Sequence, residues 1–398
     1  MERQKTNADH ILKKIILIIF VWTILRYAIT AVGTVMLPGS NLYIPTVKFK
    51  NEYVNLISRI PIVAAWGNLD GANYIKVART GYVKADLGFF PLYPLLMNVL
   101  FLLTGLSRII IGQLISLACI TTSFYLFYKL LAMEKHKINP VHFLMFVLVY
   151  PTAYYYGAAY NDSLFLLLAT ATLYLGRKKW YIAAAICSFF ATLARLNGLA
   201  LMFFLFFELY ADVTKTEQIT FKMPTKTQMI FLLKYVLLCL FPLFAFLSYL
   251  TYIHLTFGHW SMLFSSMKQW GQDQMIFPLQ TAFRYIKIFL FTPNKGLSYG
   301  IAALEFAAVI TYTLAAIVSW KKIRFSYWIF MVVSFIIPSL TGTFQGMPRY
   351  GLHLYPFFVA IWLWFSKQRK VTKVTLAVGS LVLQILLIIL YTRGYFVS

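Results

Sequence analysis

The chain has 398 residues, of which 60% are hydrophobic, 18% aromatic and only 12% charged, and its mean hydropathy is +0.72; an average soluble domain carries about twice that charge. This balance excludes an ordinary water-soluble fold and predicts an all-α polytopic membrane protein. A net charge of +24 would suit nucleic acid, but the Lys and Arg fall in short clusters between apolar runs, the positive-inside pattern and not a phosphate-binding face, so no nucleic acid is expected.

The first apolar run, 15–37, follows Lys5, Lys13 and Lys14. It exceeds a signal-peptide core and no small-residue cleavage site follows, so it reads as a retained signal-anchor helix with its amino end inside. Basic clusters recur at Lys135 with Lys137, at Arg177, Lys178 and Lys179, at Lys215, Lys222 and Lys226, at Lys321, Lys322 and Arg324, and at Lys367, Arg369, Lys370 and Lys373. All are placed inside by further spans near 109–131, 141–157, 162–176, 180–196, 198–212, 229–253, 298–320, 325–341, 350–366 and 372–392, giving about 11 crossings (10 to 13). The scheme requires that 89–104, bracketed by Pro91, Pro94 and Gly105, lies on the surface or only half inserts. Spans 141–157, 162–176 and 198–212 are short, as helices grouped round a cavity are. Residues 1–398 thus read as one membrane domain with two large outer loops, 38–105 and 255–297, both with surface helices. Cys119, Cys187 and Cys239 lie inside apolar runs without disulfide or zinc spacing, and no carboxylate pair has ligand-like spacing, so neither metal nor cofactor is expected.

Within the first loop, where Glu52, Asp70 and Asp86 stand, the segment from Trp66 to Pro94 reads WGNLDGANYIKVARTGYVKADLGFFPLYP. Asp70 to Thr80 has no breaker after Gly71 and stops at Gly81, which predicts a short helix with Asp70 at or near its start. Asp70, Asn73, Tyr74 and Val77 share one face of it, and Lys76 and Arg79 point away, towards lipid headgroups. An Asp in that place is either a helix cap or a general base. Next, YPTAYYYGAAYNDSLF sets Asp162 at the outer end of a span, again cap or ligand, and Asn161-Asp162-Ser163 is a weak match to the N-glycosylation pattern. In ARLNG, Arg195 sits in an apolar hairpin. An Arg at mid-membrane costs about 2.5 to 3.5 kcal/mol, so it either snorkels or meets an anion. The second large loop carries Trp260, Gln269 and Trp270, where the tryptophans equally suit an aromatic belt. Finally FQGMPRYGLHLYP puts Arg349 and His353 on one helical turn. The Arg349 fork suits a phosphate or anchors at the interface, and His353 reads as a structural residue.

In order and spacing, the stretches LDGANYIKVARTGY, FFPLYP, YPTAYYYGAAYNDSLF with ARLNG, FGHWSMLFSSMKQW and PRYGLHLYP resemble the phosphatidylinositol-glycan class V mannosyltransferases and their bacterial relatives, in the GT-C glycosyltransferase superfamily. The resemblance covers roughly Trp66 to Pro356. The family pattern looks like Trp-Asp-x-x-His-Tyr where this chain has Leu69-Asp70-Gly71-Ala72-Asn73-Tyr74, keeping the acid and departing at Leu69 and Asn73. Asp86 stands where the family has an acid after the Gly-Tyr, and Asp162 where relatives tend to have Glu. The expected location is a bacterial plasma membrane, and the resemblance implies a GT-C-type fold with the active site facing outside. It further implies a polyprenyl-phosphate sugar donor, a glycan or glycolipid acceptor and an inverting transfer. On it, Asp70 is the general base, Arg349 and Arg195 meet the donor phosphate, and Asn73, Tyr74, Asp86, Asp162, Gln269, Trp270 and His353 bind substrate. Trp66 and Trp260 are further rings able to stack on a sugar. Competing expectations are a transporter or flippase of a lipid-linked or amphiphilic substrate, which should show internal repeats and midplane polar groups, and a noncatalytic assembly subunit.

Overall fold

The computed structural model describes residues 2–40, 60–134, 138–216, 218, 225–293 and 296–397; Glu52, Lys135, Lys137 and Lys222 lie outside them. Among the described residues there is no strand, only an isolated parallel bridge between Ile276 and Thr341. The helices are, in chain order, α1 (Glu2–Met36), α2 (Pro61–Ala64), α3 (Asp70–Thr80), α4 (Leu92–Thr104), α5 (Arg108–Leu131), α6 (Pro140–Leu148), α7 (Asp162–Arg177), α8 (Tyr181–Ala194) and α9 (Leu201–Thr214). They continue as α10 (Lys226–Cys239), α11 (Phe241–Phe257), α12 (Met262–Ser266), α13 (Pro278–Phe291), α14 (Leu297–Ser319), α15 (Phe325–Ser339), α16 (Met347–Tyr350), α17 (Tyr355–Phe365) and α18 (Lys370–Thr392).

Among these residues, six helical stretches are long and apolar enough to cross a membrane: Ala8–Met36, Arg108–Leu131, Leu196–Thr214, Lys226–Phe257, Leu297–Ser319 and Lys370–Thr392. They coincide with expected spans 15–37, 109–131, 198–212, 229–253, 298–320 and 372–392. The remaining expected spans fall on α6, α7, α8, α15 and α17, of 9, 16, 14, 15 and 11 residues. At a rise of 1.5 Å per residue these cover about 13 to 24 Å, short of a core of about 30 Å.

The chain divides into two compact units. The first comprises residues 1–81, 92–167 and 366–397, and the second residues 82–91 and 168–365. In the first, α1 and α18 run parallel: Arg393 Nε donates to the Leu37 carbonyl at 2.7 Å, just past the end of both. Counting back along both axes sets Lys370 and Lys373 level with Lys13 and Lys14, so these basic residues share one end. α4 turns back along α5, with the Tyr93 hydroxyl on the Gly112 carbonyl (2.9 Å) and Arg108 Nη2 on Asn98 Oδ1 (2.8 Å). Its 13 residues reach only about 20 Å.

One expectation needs correction here. The run 141–157 is not a continuous helix, because α6 stops at Leu148. Gln384, in the middle of α18, donates to the carbonyls of Leu148 (2.9 Å) and Tyr150 (2.8 Å), and beyond it the chain proceeds through turns and a 3-10 segment, Ala153–Gly157, to α7. Residues 152–161 are all buried, the condition under which irregular backbone survives at membrane depth.

In the second unit the basic loops converge. Glu208, only 4% exposed, accepts from Arg324 Nη2 (2.9 Å) and the Ser326 hydroxyl (2.7 Å) and pairs with Arg177 at 3.6 Å. Lys179, Tyr181 and Lys215 all bind Asp212, and Gln218 donates to the carbonyls of Lys321 (3.3 Å) and Ile323 (3.0 Å). Loops expected on one side of a membrane are thus at one end of this unit. From that end α8 and α15 run about 21 and 22 Å, whereas α14 comes back to it over about 34 Å. The turns following α8 and α15 therefore lie at the far end, well short of where α14 begins.

Candidate functional site

Asp70 belongs to the first unit. The residue before it, Leu69, has φ 55° and ψ −119°, and the Gly71 amide donates to the Asn68 carbonyl at 3.1 Å. Residues 68–71 therefore form a type II′ turn with leucine in the place normally taken by glycine. A side chain there costs about 1 to 3 kcal/mol and persists only where the surroundings over-determine it. The surroundings do so. The Tyr160 hydroxyl donates to the Asn68 carbonyl (2.9 Å) and accepts from the Asp70 amide (3.1 Å). Asn68 Nδ2 donates to the carbonyls of Tyr391 (3.2 Å) and Thr392 (3.3 Å), and the Trp66 carbonyl accepts from the Ala159 amide (2.9 Å) and the Tyr391 hydroxyl (3.3 Å). A Cβ on Gly71 would come within 3.3 Å of the Ala159 oxygen and the Tyr160 ring, so α3 starts directly on this buried segment.

Asp70 is thus the first residue of α3 and not its cap; the cap position is Leu69, with no side-chain capping bond. Asp70 stands one place inside the cap, on a braced, strained turn. Asp70 and Asn73 are part-exposed, but Tyr74, at 5% exposure, packs edge-on against Tyr93 with centroids 5.2 Å apart. Ala72, Ile75, Val77 and Ala78 are buried as well. The expected division of α3 into a substrate face and a headgroup face is corrected accordingly: only the Asp70–Asn73 corner and the Lys76–Thr80 end emerge. Trp66 is wholly buried and cannot stack on a sugar.

What covers Trp66 is Arg26, a residue the sequence reading passed over. Its guanidinium lies 4.1 Å from the Trp66 ring and 4.5 Å from that of Trp22, and Nη1 donates to the Tyr154 carbonyl at 3.3 Å. The available signal was an arginine in the middle of the first apolar run, a position that demands a reason. Gly157 makes the room, since a Cβ there would sit 2.2 Å from the guanidinium carbon. Asp162 starts α7 but is fully buried, beside Ser163, whose hydroxyl bonds the Tyr156 carbonyl at 2.8 Å. It belongs to the interior behind the Asp70 turn rather than to a surface.

The second unit joins two separate motifs. Arg195, extended at the end of α8, places Nη1 3.3 Å from His353 Nε2 and its guanidinium 4.6 Å from the Tyr350 ring. Arg349 precedes Tyr350 on α16. Each turn is pinned. Asn197 Nδ2 donates to the Ser334 carbonyl (2.8 Å), and a Cβ on Gly198 would be 2.5 Å from Thr192 Cα. The Tyr312 hydroxyl donates to the Met347 carbonyl (2.5 Å) and accepts from the Gly351 amide (2.9 Å), while its ring stacks on Phe335 at 4.0 Å. His353, 1% exposed, is the inner wall of this cluster; Arg195 and Arg349 are part-exposed.

The segment that carries Asp86 and the segment that carries Gln269 and Trp270 dock on one another within the second unit. Gln269 Nε2 donates to the Ala85 carbonyl (2.7 Å), Trp270 packs edge-on against Phe89 at 5.5 Å, and the Tyr249 hydroxyl donates to the Leu87 carbonyl (2.8 Å). Asp86 is 3% exposed and Trp260 51%. Among the described residues no cluster of His, Cys, Asp or Glu could hold a metal ion.

Fold and sites together define a class: an all-helical chain with membrane-spanning helices, in which buried tyrosines fix charged turns. Compared with known proteins, the chain matches no family model, no curated protein and no solved structure.

Proposed function

We propose that this protein is a membrane glycosyltransferase, mannosyltransferase-like and of GT-C type, with about 11 crossings and an active site on the side away from the basic loops of a bacterial plasma membrane. It moves a sugar from a polyprenyl-phosphate donor to a glycan or glycolipid acceptor with inversion. The observation that supports this most is the strained turn bearing Asp70, since strain of that kind clusters at reacting groups. Asp70 takes the proton from an acceptor hydroxyl as its oxygen bonds to the anomeric carbon, and the bond from that carbon to the phosphate oxygen breaks, releasing the lipid phosphate. Phosphate leaves without a proton, so cations matter more than a second acid. The family resemblance assigns that part to Arg349 and Arg195, and within the second unit Arg195 is held against His353. Asn73 stands beside the base to orient a hydroxyl. Tyr74, Asp86 and Asp162 shape their surroundings from buried positions.

The test is transfer by the protein in nanodiscs, with polyprenyl-phosphate mannose and extracted envelope lipids. Asp70→Asn should lower the rate by about 10² to 10⁴, the usual contribution of a general base. Turnover near the wild-type rate in that variant sinks the assignment, and uptake of labelled substrate without donor consumption replaces the reading with a transporter.

A further inference from the structure

α13 follows α14 antiparallel within the second unit. The Phe289 ring lies 5.6 Å from that of Tyr299, the Tyr285 hydroxyl donates to Glu305 at 2.5 Å, and Pro278, Leu279 and Ala282 border a cavity of about 470 Å³ with Val309, Ile310 and Tyr312. Glu305 lies eight residues beyond Leu297, about 12 Å along the helix, and Val309 to Tyr312 about 18 to 22 Å along it. α13 therefore lies beside about the first two-thirds of α14, one of the helices long and apolar enough to cross a membrane.

Its side chains fit a place in the bilayer. Thr281 and Tyr285 are buried, whereas Leu279, Phe283, Ile286 and Leu290 are exposed by 72, 56, 42 and 70%. The spacing i, i+4, i+7, i+11 gathers them into one stripe, an unusual surface to leave to water. Of the two charges on α13, Arg284 turns off the stripe, its Nη1 donating to the Gly342 carbonyl (3.3 Å), whereas the Lys287 ammonium lies over the stripe's own Phe283 ring (4.8 Å) on a stem long enough to snorkel. We propose that α13 is a re-entrant helix seated in the hydrocarbon of the leaflet opposite the basic loops, entering and leaving from one side, with lipid chains as the partner of this stripe. Its inner face holds the strand of chain leading to Arg349, through the Ile276–Thr341 bridge and the Tyr285 hydroxyl, which accepts from the Phe344 amide at 3.1 Å. The seating stands independently of the glycosyltransferase reading.

The experiment starts from full-length protein with Cys119, Cys187 and Cys239 replaced by alanine. Single cysteines (L279C, F283C, I286C, L290C, and K321C in a basic loop) are labelled with bimane in phosphatidylethanolamine–phosphatidylglycerol vesicles. All four stripe labels should be quenched severalfold more by mid-chain nitroxide lipids than by aqueous iodide, and K321C the reverse. Iodide quenching of the stripe overturns the proposal by placing α13 in water. Protection from both quenchers, with cysteine crosslinks between copies, overturns it in favour of a second copy of the chain as the partner.

Discussion

At the scale of single residues, Leu69 decides how Asp70 is presented. Sequence pattern placed Asp70 at a helix start because Gly71 is the last breaker before Gly81, and that much is correct. Whether it caps or follows the cap was not legible, because the answer lies in the φ of its neighbour, and nothing in the letter Leu signals a left-handed backbone. The turn makes a measurable claim. Leu69→Gly removes about 1 to 3 kcal/mol of strain against about 0.5 to 1 kcal/mol of added chain entropy, so thermal stability should hold or rise. Leu69→Val, β-branched at positive φ, should melt earlier. A Gly variant that loses stability while Val is tolerated would show that the leucine side chain, not the turn, sets the conformation. Burial was the other thing hidden at this scale: Trp66 and Tyr74 carry the same letters whether they stack on a ligand or on Arg26 and Tyr93.

Among elements, long helices were readable and short ones were not. Whereas 198–212 read as short and reaches membrane length only with the 3-10 turn at its start, as Leu196–Thr214, five apolar runs of bilayer length declare themselves by composition alone. The break after Leu148 does not, because the sequence stays aromatic and apolar through Tyr160 while its backbone bonds pass to Gln384 and to side chains far along the chain. Gly157 is the checkable part of that segment. Gly157→Ala drives a methyl into the Arg26 guanidinium and should cost about 1 to 3 kcal/mol, the range for overpacking. Combining it with Arg26→Leu should cost less than the sum of the single changes, by a coupling of about 0.5 to 3 kcal/mol, read from thermal melts in detergent. Strict additivity would mean that the two do not share the space. The motifs ARLNG and PRYGLH illustrate the same limit from the other side: each was visible, but the contact between Arg195 and His353 depends on Asn197 and Tyr312 pinning two turns 158 residues apart.

For the molecule as a whole, charge patterning foresaw which loops of the second unit gather, because the positive-inside bias acts on loops and needs no tertiary information. The buried carboxylate of Glu208 that draws two of those loops together was not foreseen, since a lone Glu in an apolar run names no partner. Labelling checks the sidedness: cysteines replacing Lys178, Lys215 and Lys322 should react with a membrane-impermeant maleimide from one side only, and one replacing Gln345 from the other. Reaction of all four from the same side would dismantle the topology.

The unequal lengths of α8, α15 and α14 carry a last consequence. On the proposed function, a lipid phosphate paired with Arg195 and Arg349 lies recessed from the level where α14 begins, and the attraction between opposite charges is screened less there than at the open surface of the lysine-rich loops. Binding of a lipid phosphate should therefore change little between dilute buffer and half-molar sodium chloride, whereas adhesion of the same lipid to the lysine-rich loops should vanish.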